Sequence, residues 1–275
     1  YCIYHLHSDM SNGVTNIDSV TKFQKYIDRA KETGMKAMAF SEHGSVFAWD
    51  LKKEAIEKTG MKYIHAEEFY ITQTLEEKVR DNWHCVLIGK NWEGVRELNY
   101  LASKSFNRKD NHFFYVPRIT IDDLLNTSDN IIITSACLGG PLNHAPENIV
   151  KQLLEFMAKN KHRCFLEIQH HNVSDQKSYN LQLVQWSKEY GVPLIAGTDT
   201  HSLDEIHADG RKILQKSKDI YFSDEDGWDL SFKTYDELCE AYRKQGALPE
   251  GVYLTAIENT NKMADMVEEF VLDRN

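Results

Sequence analysis

Short apolar runs alternate with stretches of helical period along the first 205 residues of the chain. The apolar runs predict strands at Ile3–Leu6, Ala37–Ser41, Tyr63–Glu67, Cys85–Gly89, Ile131–Ser135, Cys164–Gln169 and Pro193–Gly197. The intervening stretches predict helices over Asp18–Thr33, Ser45–Thr59, Trp92–Lys104, Pro146–Asn160 and Asp175–Tyr190. Gly34, Gly60 and Gly191 each stand just past one of those helices, where a residue free to take positive φ ends the turn. Strand then helix, repeated, predicts a parallel sheet. Seven such strands either close into a (β/α)7-type barrel or form an open doubly wound sheet. Residues 71–82 and 106–130 are longer, more polar connections, and Lys104–His112 reads as an exposed loop.

From about residue 206 the pattern changes. His207–Lys218 is predicted helical, Ser223–Leu230 is an acidic loop, and helices follow at Tyr235–Gln245 and Val252–Val267. The expected architecture is α/β: a distorted barrel over residues 1–205, then a short, mainly helical C-terminal extension over 206–275.

Polar residues with ligand chemistry stand at the ends of the apolar runs, and they decide between barrel and open sheet. His5 and His7 are two apart on the first predicted strand, and Asp199 and His201 are two apart just after the seventh. Residues i and i+2 of a strand point to the same side, so each pair can grip one ion. His43, Glu68 and Cys137 follow three further apolar runs. An open sheet concentrates its site at one switch point, whereas a barrel draws residues from the ends of all its strands. This favours the barrel, in which the first and last strands are neighbours. His84 precedes its apolar run; it joins the others if its strand runs antiparallel or if the preceding loop supplies it.

Imidazole, carboxylate and one thiol suit Zn²⁺, Mn²⁺ or Fe²⁺ better than Mg²⁺ or Ca²⁺. So many candidate ligands exceed what one tetrahedral ion needs, which implies roughly two or three divalent ions. Ions about 3.5–4 Å apart clamp a phosphate and activate water, so no Ser or Cys nucleophile is required.

Composition narrows the setting. The hydrophobic share of 41% and charged share of 27% are those of a soluble globular protein. No apolar run is long enough to span a membrane. No signal peptide is visible, and the opening at Tyr1 suits a trimmed or processed chain. Five cysteines without a C-x-x-C pair read as a reducing, cytoplasmic setting. The net charge of −10 argues against an autonomous nucleic-acid binder and suits a cluster of bound cations.

The motifs resemble the PHP family (polymerase and histidinol phosphatase). The chain reads HLHSDMSNG at 5–13, SEHG at 41–44 and GTDTH at 197–201. These match the family's H-x-H with S-D-G turn, its D-H-G and its closing D-x-H. The chain is most similar to the branch found at the N-terminus of bacterial DNA polymerase III alpha subunits. That likeness rests on GMKYIHAEEFY (60–70), HCVLIGKN (84–91), YVPRIT (115–120), TSACLGG (134–140), CFLEIQHHN (164–172) and RKILQKSKD (211–219). FKTYDEL (232–238) and ENTNKMADM (258–266) look like the segment that joins this domain to the polymerase.

The resemblance implies a metal-ligand set of His5, His7, Asn12, His43, Glu68 (rather than Glu67), His84, Cys137, Asp199 and His201. His5, His7, Asp199 and His201 would carry the chemistry. Asn12 stands where the S-D-G aspartate would be, with Asp18 or Asp9 as substitutes. His171 would sit near the pocket mouth. His65, His112, His144, His162, His170 and His207 are expected at the surface or in caps, and Lys90, Arg118 and Arg211 as solvated charges or interdomain contacts.

The implied function is a metal-dependent 3′–5′ exonuclease that proofreads DNA, with the 3′ end delivered by the full polymerase and the remaining polymerase domains as partners. A structural PHP domain that stabilises the polymerase is the alternative, and Asn12 favours it. A stand-alone phosphatase of small substrates such as histidinol phosphate is a third.

Overall fold

In a computed structural model of the chain, residues 1–76, 78–222, 225 and 227–273 are described. Of the acidic loop expected over Ser223–Leu230, residues 223, 224 and 226 lie outside the described residues. The strands are β1 (Ala37–Phe40), β2 (Lys62–Thr72), β3 (Trp83–Gly89), β4 (Phe113–Phe114), β5 (Val116–Thr120), β6 (Ile131–Thr134), β7 (Cys164–Ile168) and β8 (Leu194–Ala196). The helices are α1 (Phe23–Glu32), α2 (Trp49–Lys58), α3 (Trp92–Ser105), α4 (Ile121–Leu125), α5 (Pro141–His144), α6 (Glu147–Lys159), α7 (Ser174–Tyr190), α8 (Glu205–Ser217), α9 (Tyr235–Gln245) and α10 (Glu250–Met266). Gly191 ends α7 at φ +70°, in the left-handed region that a residue without Cβ occupies freely.

The sheet curls in the order β1–β2–β3–β6–β7–β8, and the segment before residue 8 ties its two ends together. Ile3 bridges Met38 of β1, and Leu6 bridges Thr200 just beyond β8. The Ala39 N–H donates to the Ile3 carbonyl, and the His7 N–H donates to the Thr200 carbonyl. The first predicted strand is therefore a pair of isolated bridges rather than a continuous ladder, yet it closes the ring. That closure makes His5, His7, Asp199 and His201 neighbours.

The sheet is mixed, not parallel throughout. Strand β3 runs antiparallel to both β2 and β6, while β1–β2, β6–β7 and β7–β8 are parallel. Among the described residues no helix separates β2 from β3, and a connection without a crossover helix returns the chain antiparallel. Strand β2 also runs five residues past the predicted end at Glu67, to Thr72. Its last residues pair with β5, from Tyr70↔Arg118 to Thr72↔Thr120. The β4–β5 hairpin lies inside the connection expected to be loop.

Alternation along β2 divides its side chains. Ile64 and Ala66 join Ala39, Val86, Ile88 and Ile132 in the barrel interior, while Phe69 and Ile71 belong to the outer core under the helices. The C-terminal helices complete both cores. Met263, Ala264 and Val267 pack into the interior cluster, and Leu238, Tyr242 and Ile257 into the outer one. Lys62 at the start of β2 donates to the carbonyls of Ala264 and Val267, so α10 closes the barrel end opposite Glu68. Truncating the fully buried Ile257 to Ala should therefore cost about 2–5 kcal/mol. Barrel and extension should lose stability together in one urea transition. Early melting of the extension alone would show that the shared core is not continuous.

Candidate metal centre

Strand ends, the first turns after them and the stretch before α1 bring nine of the chain's polar side chains to one spot at the barrel rim. Glu68 occupies its middle. It is fully buried, and its carboxylate oxygens lie 3.3 Å from His5 Nε2, 3.1 Å from His7 Nε2, 3.1 Å from His43 Nδ1 and 3.2 Å from His84 Nδ1. Asp199 Oδ1 lies 3.2 Å from both His5 Nε2 and His7 Nε2. Asp18 Oδ1 lies 3.5 Å from His43 Nε2 and 3.3 Å from His201 Nε2. The Cys137 thiol stands 3.3 Å from His84 Nδ1 and 3.8 Å from Glu68 Oε1. The antiparallel course of β3 starts that strand at the same rim, and so accounts for His84.

Each ligand is aimed by its local backbone. Asp199 adopts φ +49°, a conformation that Asp tolerates better than most residues. His201 Nδ1 meets the carbonyl of Asp199 at 2.7 Å, which leaves Nε2 for the centre. The short turn Asp9–Gly13 is held by the buried Glu42, which accepts from the Ser8 N–H and the Ser11 hydroxyl. Ser11 Oγ in turn lies 3.2 Å from His7 Nδ1. Glu67, one residue before Glu68, points to the other face of β2, buried and without a hydrogen-bond partner among the described residues.

Asn12 is not among the converging groups. Its side chain carbonyl accepts from the backbone N–H groups of Asp18 and Ser19 at 2.7 and 3.1 Å, and its amide donates to the Ser19 carbonyl. Asn12 thereby pins the 18–19 backbone, and Asp18 supplies the carboxylate. Sequence reading places Asp18 inside a helix, but α1 begins at Phe23, and the extended stretch before it delivers the side chain. Asp9 is only partly buried and faces Lys22 at 3.8 Å.

Other expectations change with burial. His65, His112 and His170 are buried rather than superficial, whereas His144 and His162 are exposed. Arg118 is fully buried and donates to the carbonyls of Val79, Asn111 and His112, so it is no solvated charge. Arg211 pairs with Glu225 and donates to the Asp18 carbonyl, which joins α8 to the site. His171 stacks on Trp228 with centroids 5.1 Å apart, and its Nε2 meets Gln169 Oε1 at 3.1 Å. Sequence reading passes over Glu167, whose carboxylate meets His5 Nδ1 at 2.6 Å. Its place among four apolar residues of a strand was the available signal.

Electrostatics shows what the cluster lacks. Burial pushes the Asp18, Glu68 and Asp199 carboxyls up, but the facing histidines overcome it and hold all three well below the usual carboxylate range. Burial pushes His5, His7, His43 and His201 down, and the surrounding carboxylates reverse this, so all four lie above the usual imidazole value. Burial raises the Cys137 thiol well above its ordinary value. Even so, His5 Nε2, His7 Nε2, His43 Nδ1, Glu68 Oε2, Asp18 Oδ2 and Asp199 Oδ1 are buried and, despite their ion-pair distances, make no hydrogen bond of good geometry among the described residues. Convergent orphaned donor atoms of this chemistry fit divalent cations. They form three overlapping groups: His7, Asp18, His43 and His201; His5, His7, Glu68 and Asp199; and His43, Glu68 and His84.

The family assignment agrees with this geometry. The profile of the PHP domain matches residues 4–171, and the chain belongs to that family. It is 33% identical to a DNA polymerase III subunit alpha of Borreliella burgdorferi, over 97% of this chain and 23% of that protein. It is 29% identical to the same subunit of Aquifex aeolicus, over 97% of this chain and 24% of that protein. The chain thus spans about a quarter of the length of these curated relatives. Among solved structures it is similar to one from Bifidobacterium adolescentis, named for metal-dependent phosphoesterase activity, at TM-score 0.47 and 12% identity over 73% of this chain and 87% of that one. An amidohydrolase of Chromobacterium violaceum matches at TM-score 0.47 and 14% identity over 74% and 88%. Among the described residues no helix is long and apolar enough to cross a membrane.

Two outcomes follow from the site. Asp18→Asn should lower bound metal measured by elemental analysis, while Asn12→Asp should leave it unchanged or lower it. A rise in metal on Asn12→Asp would place residue 12 in the site after all. The second concerns pH. The raised histidines stabilise the metal-free fold fully below about pH 6.5 and lose this as pH rises through their folded values. The lowered carboxyls contribute fully above about pH 4 and lose it as pH falls. Metal-free protein should therefore be most stable between about pH 4 and 6.5 as far as these groups decide. Because ions need deprotonated ligands, the rise in Tm on adding Zn²⁺ or Mn²⁺ should grow from pH 6 to pH 8. A metal increment independent of pH would contradict this.

Proposed function

We propose that this PHP domain is a metal-dependent phosphoesterase that removes nucleotides from DNA 3′ ends, the proofreading exonuclease of a DNA polymerase III alpha-like protein. The observation that carries the reading is the set of buried imidazole nitrogens and carboxylate oxygens that converge on Glu68 and Asp199 without forming hydrogen bonds among the described residues. The likeness to polymerase subunits over nearly the whole chain supports DNA as substrate and the remaining polymerase domains as partners.

His5, His7, Asp18, His43, Glu68, His84, Asp199 and His201 would hold roughly two or three Zn²⁺, Mn²⁺ or Fe²⁺ ions, with the Cys137 thiol beside His84. Asn12 serves by fixing Asp18. Bound there, the ions would neutralise charge on a phosphodiester and make water a competent nucleophile near neutral pH. The chain's own residues do the positioning. Glu68 and Asp199 each face several imidazoles, so they set the spacing of the centre. His5, His7, Asp199 and His201, on the two segments that close the ring, carry the chemistry in this reading. The chain's charge of −10 leaves affinity for the DNA backbone to other parts of the polymerase.

The test pairs metal content with 3′-end release from single-stranded DNA in Mn²⁺ or Zn²⁺, for the native chain and Asp199→Asn. The substitution should cut release at least about a hundredfold, beyond what loss of an outer-shell partner usually costs. Stoichiometric metal without release would remove the exonuclease assignment and leave a scaffolding domain. Turnover of histidinol phosphate but not of DNA would make the protein a small-substrate phosphatase.

A further inference from the structure

One buried carboxylate stands behind the cluster rather than in it. Glu167, on β7, is fully buried and places Oε1 2.6 Å from His5 Nδ1. The opposite ring nitrogen of His5 is the one that faces Glu68 and Asp199, and it makes no hydrogen bond among the described residues. The Glu167 oxygens are held from three further directions. Tyr4 Oη donates to Oε2 at 2.7 Å, Thr134 Oγ1 to Oε2 at 2.9 Å, and Gln169 Nε2 to Oε1 at 2.7 Å. The donors come from the N-terminal segment, β6 and the end of β7, so the carboxylate is locked by several staves of the barrel. Ser135 Oγ also accepts the Glu167 backbone N–H.

The first residue of GTDTH makes room for this arrangement. A Cβ on Gly197 would lie 2.1 Å from Glu167 Oε1 and 2.2 Å from Cδ. Gly197 is not in the positive-φ region, so the requirement for glycine is space, not backbone conformation. His5 also differs from its neighbours. His7 Nδ1 meets a hydroxyl at 3.2 Å and His201 Nδ1 a backbone carbonyl at 2.7 Å, with the nearest carboxylates farther off at 3.8 and 3.7 Å. His5 has a carboxylate there.

We infer that Glu167 is the positioning residue of His5: it holds the proton on Nδ1, fixes the ring plane and presents Nε2 to the metal, with Gly197 as the steric condition for its place. A carboxylate behind a liganding imidazole fixes its tautomer and makes it a stronger donor. Glu167 itself does not bind the ion in this arrangement, because its oxygens are already committed to Tyr4, Thr134, Gln169 and His5. The inference rests on the metal-centre reading above.

The experiment compares the native chain with Glu167→Gln and Gly197→Ala. Zn²⁺ affinity is read by competition with a chromogenic chelator, and the His5 ring by NMR of the Zn²⁺-loaded, ¹⁵N-histidine-labelled protein. The native protein should show a far-downfield, exchange-protected His5 Nδ1 proton. Glu167→Gln should shift or lose that signal and weaken Zn²⁺ binding about tenfold to a hundredfold. Gly197→Ala keeps the carboxylate but displaces it, so it should weaken Zn²⁺ binding in the same direction. It also keeps the test decisive if the Gln variant does not fold. Native-like affinity and an unchanged His5 signal in a folded variant would overturn the positioning role while leaving the metal centre standing. A native chain that takes up no metal would overturn the metal-centre reading itself, and the positioning role with it.

Discussion

The rim of this barrel is organised by one constraint: Glu68 is an anion removed from water, and the chain brings no lysine or arginine to it among its ion pairs in the described residues. A buried carboxylate is tolerated only when positive charge or donors surround it. Here four imidazoles stand within 3.3 Å, and two more acids, Asp18 and Asp199, share those imidazoles. Protons can balance such a cluster, and divalent cations do so with more charge at fewer positions. The pKa directions and the orphaned atoms are two expressions of this same imbalance.

Around that centre the barrel supplies rigidity in layers. Ser11 and Glu42 stand behind His7, the Asp199 carbonyl behind His201, Glu167 behind His5, and Asn12 behind Asp18. Three of these contacts lie within one segment, but Glu42, just beyond β1, and Glu167, on β7, reach the N-terminal segment from other staves, so the geometry depends on closure of the ring. The apolar interior below and α10 at the far end fix that closure. The helices after residue 205 thus belong to the same packed body as the site. This is what relates the centre to the C-terminal segment that the polymerase relatives share.

Much of this was legible in the sequence, for identifiable reasons. Period-2 spacing put His5 with His7 and Asp199 with His201, and ligand chemistry at strand exits marked His43, Glu68 and Cys137. Strand ends in a barrel share one rim, so local spacing carried long-range information. His84 remained ambiguous because strand direction is a property of pairing, and only the ladder to β2 and β6 resolved it. Residue 12 was the more instructive case. A motif position predicts a role for whichever residue occupies it, yet the amide of Asn12 turns to the backbone and Asp18 enters from an extended stretch that reads as helix.

The sequence by itself determined the repertoire: which strands form, which side chains can bind an ion, and that they end near one edge. Hydrophobic alternation and residue chemistry are local, so they survive in one dimension. Only the tertiary structure decided which carboxylate fills the place Asn12 vacates. It also decided that Glu167, a lone acid in an apolar strand, stands behind His5, and that Gly197 is there to leave it room. The contact between Glu167 and His5 joins residues 162 positions apart. Such relations exist only once the ring is closed, because distance in space is set by packing and not by order along the chain.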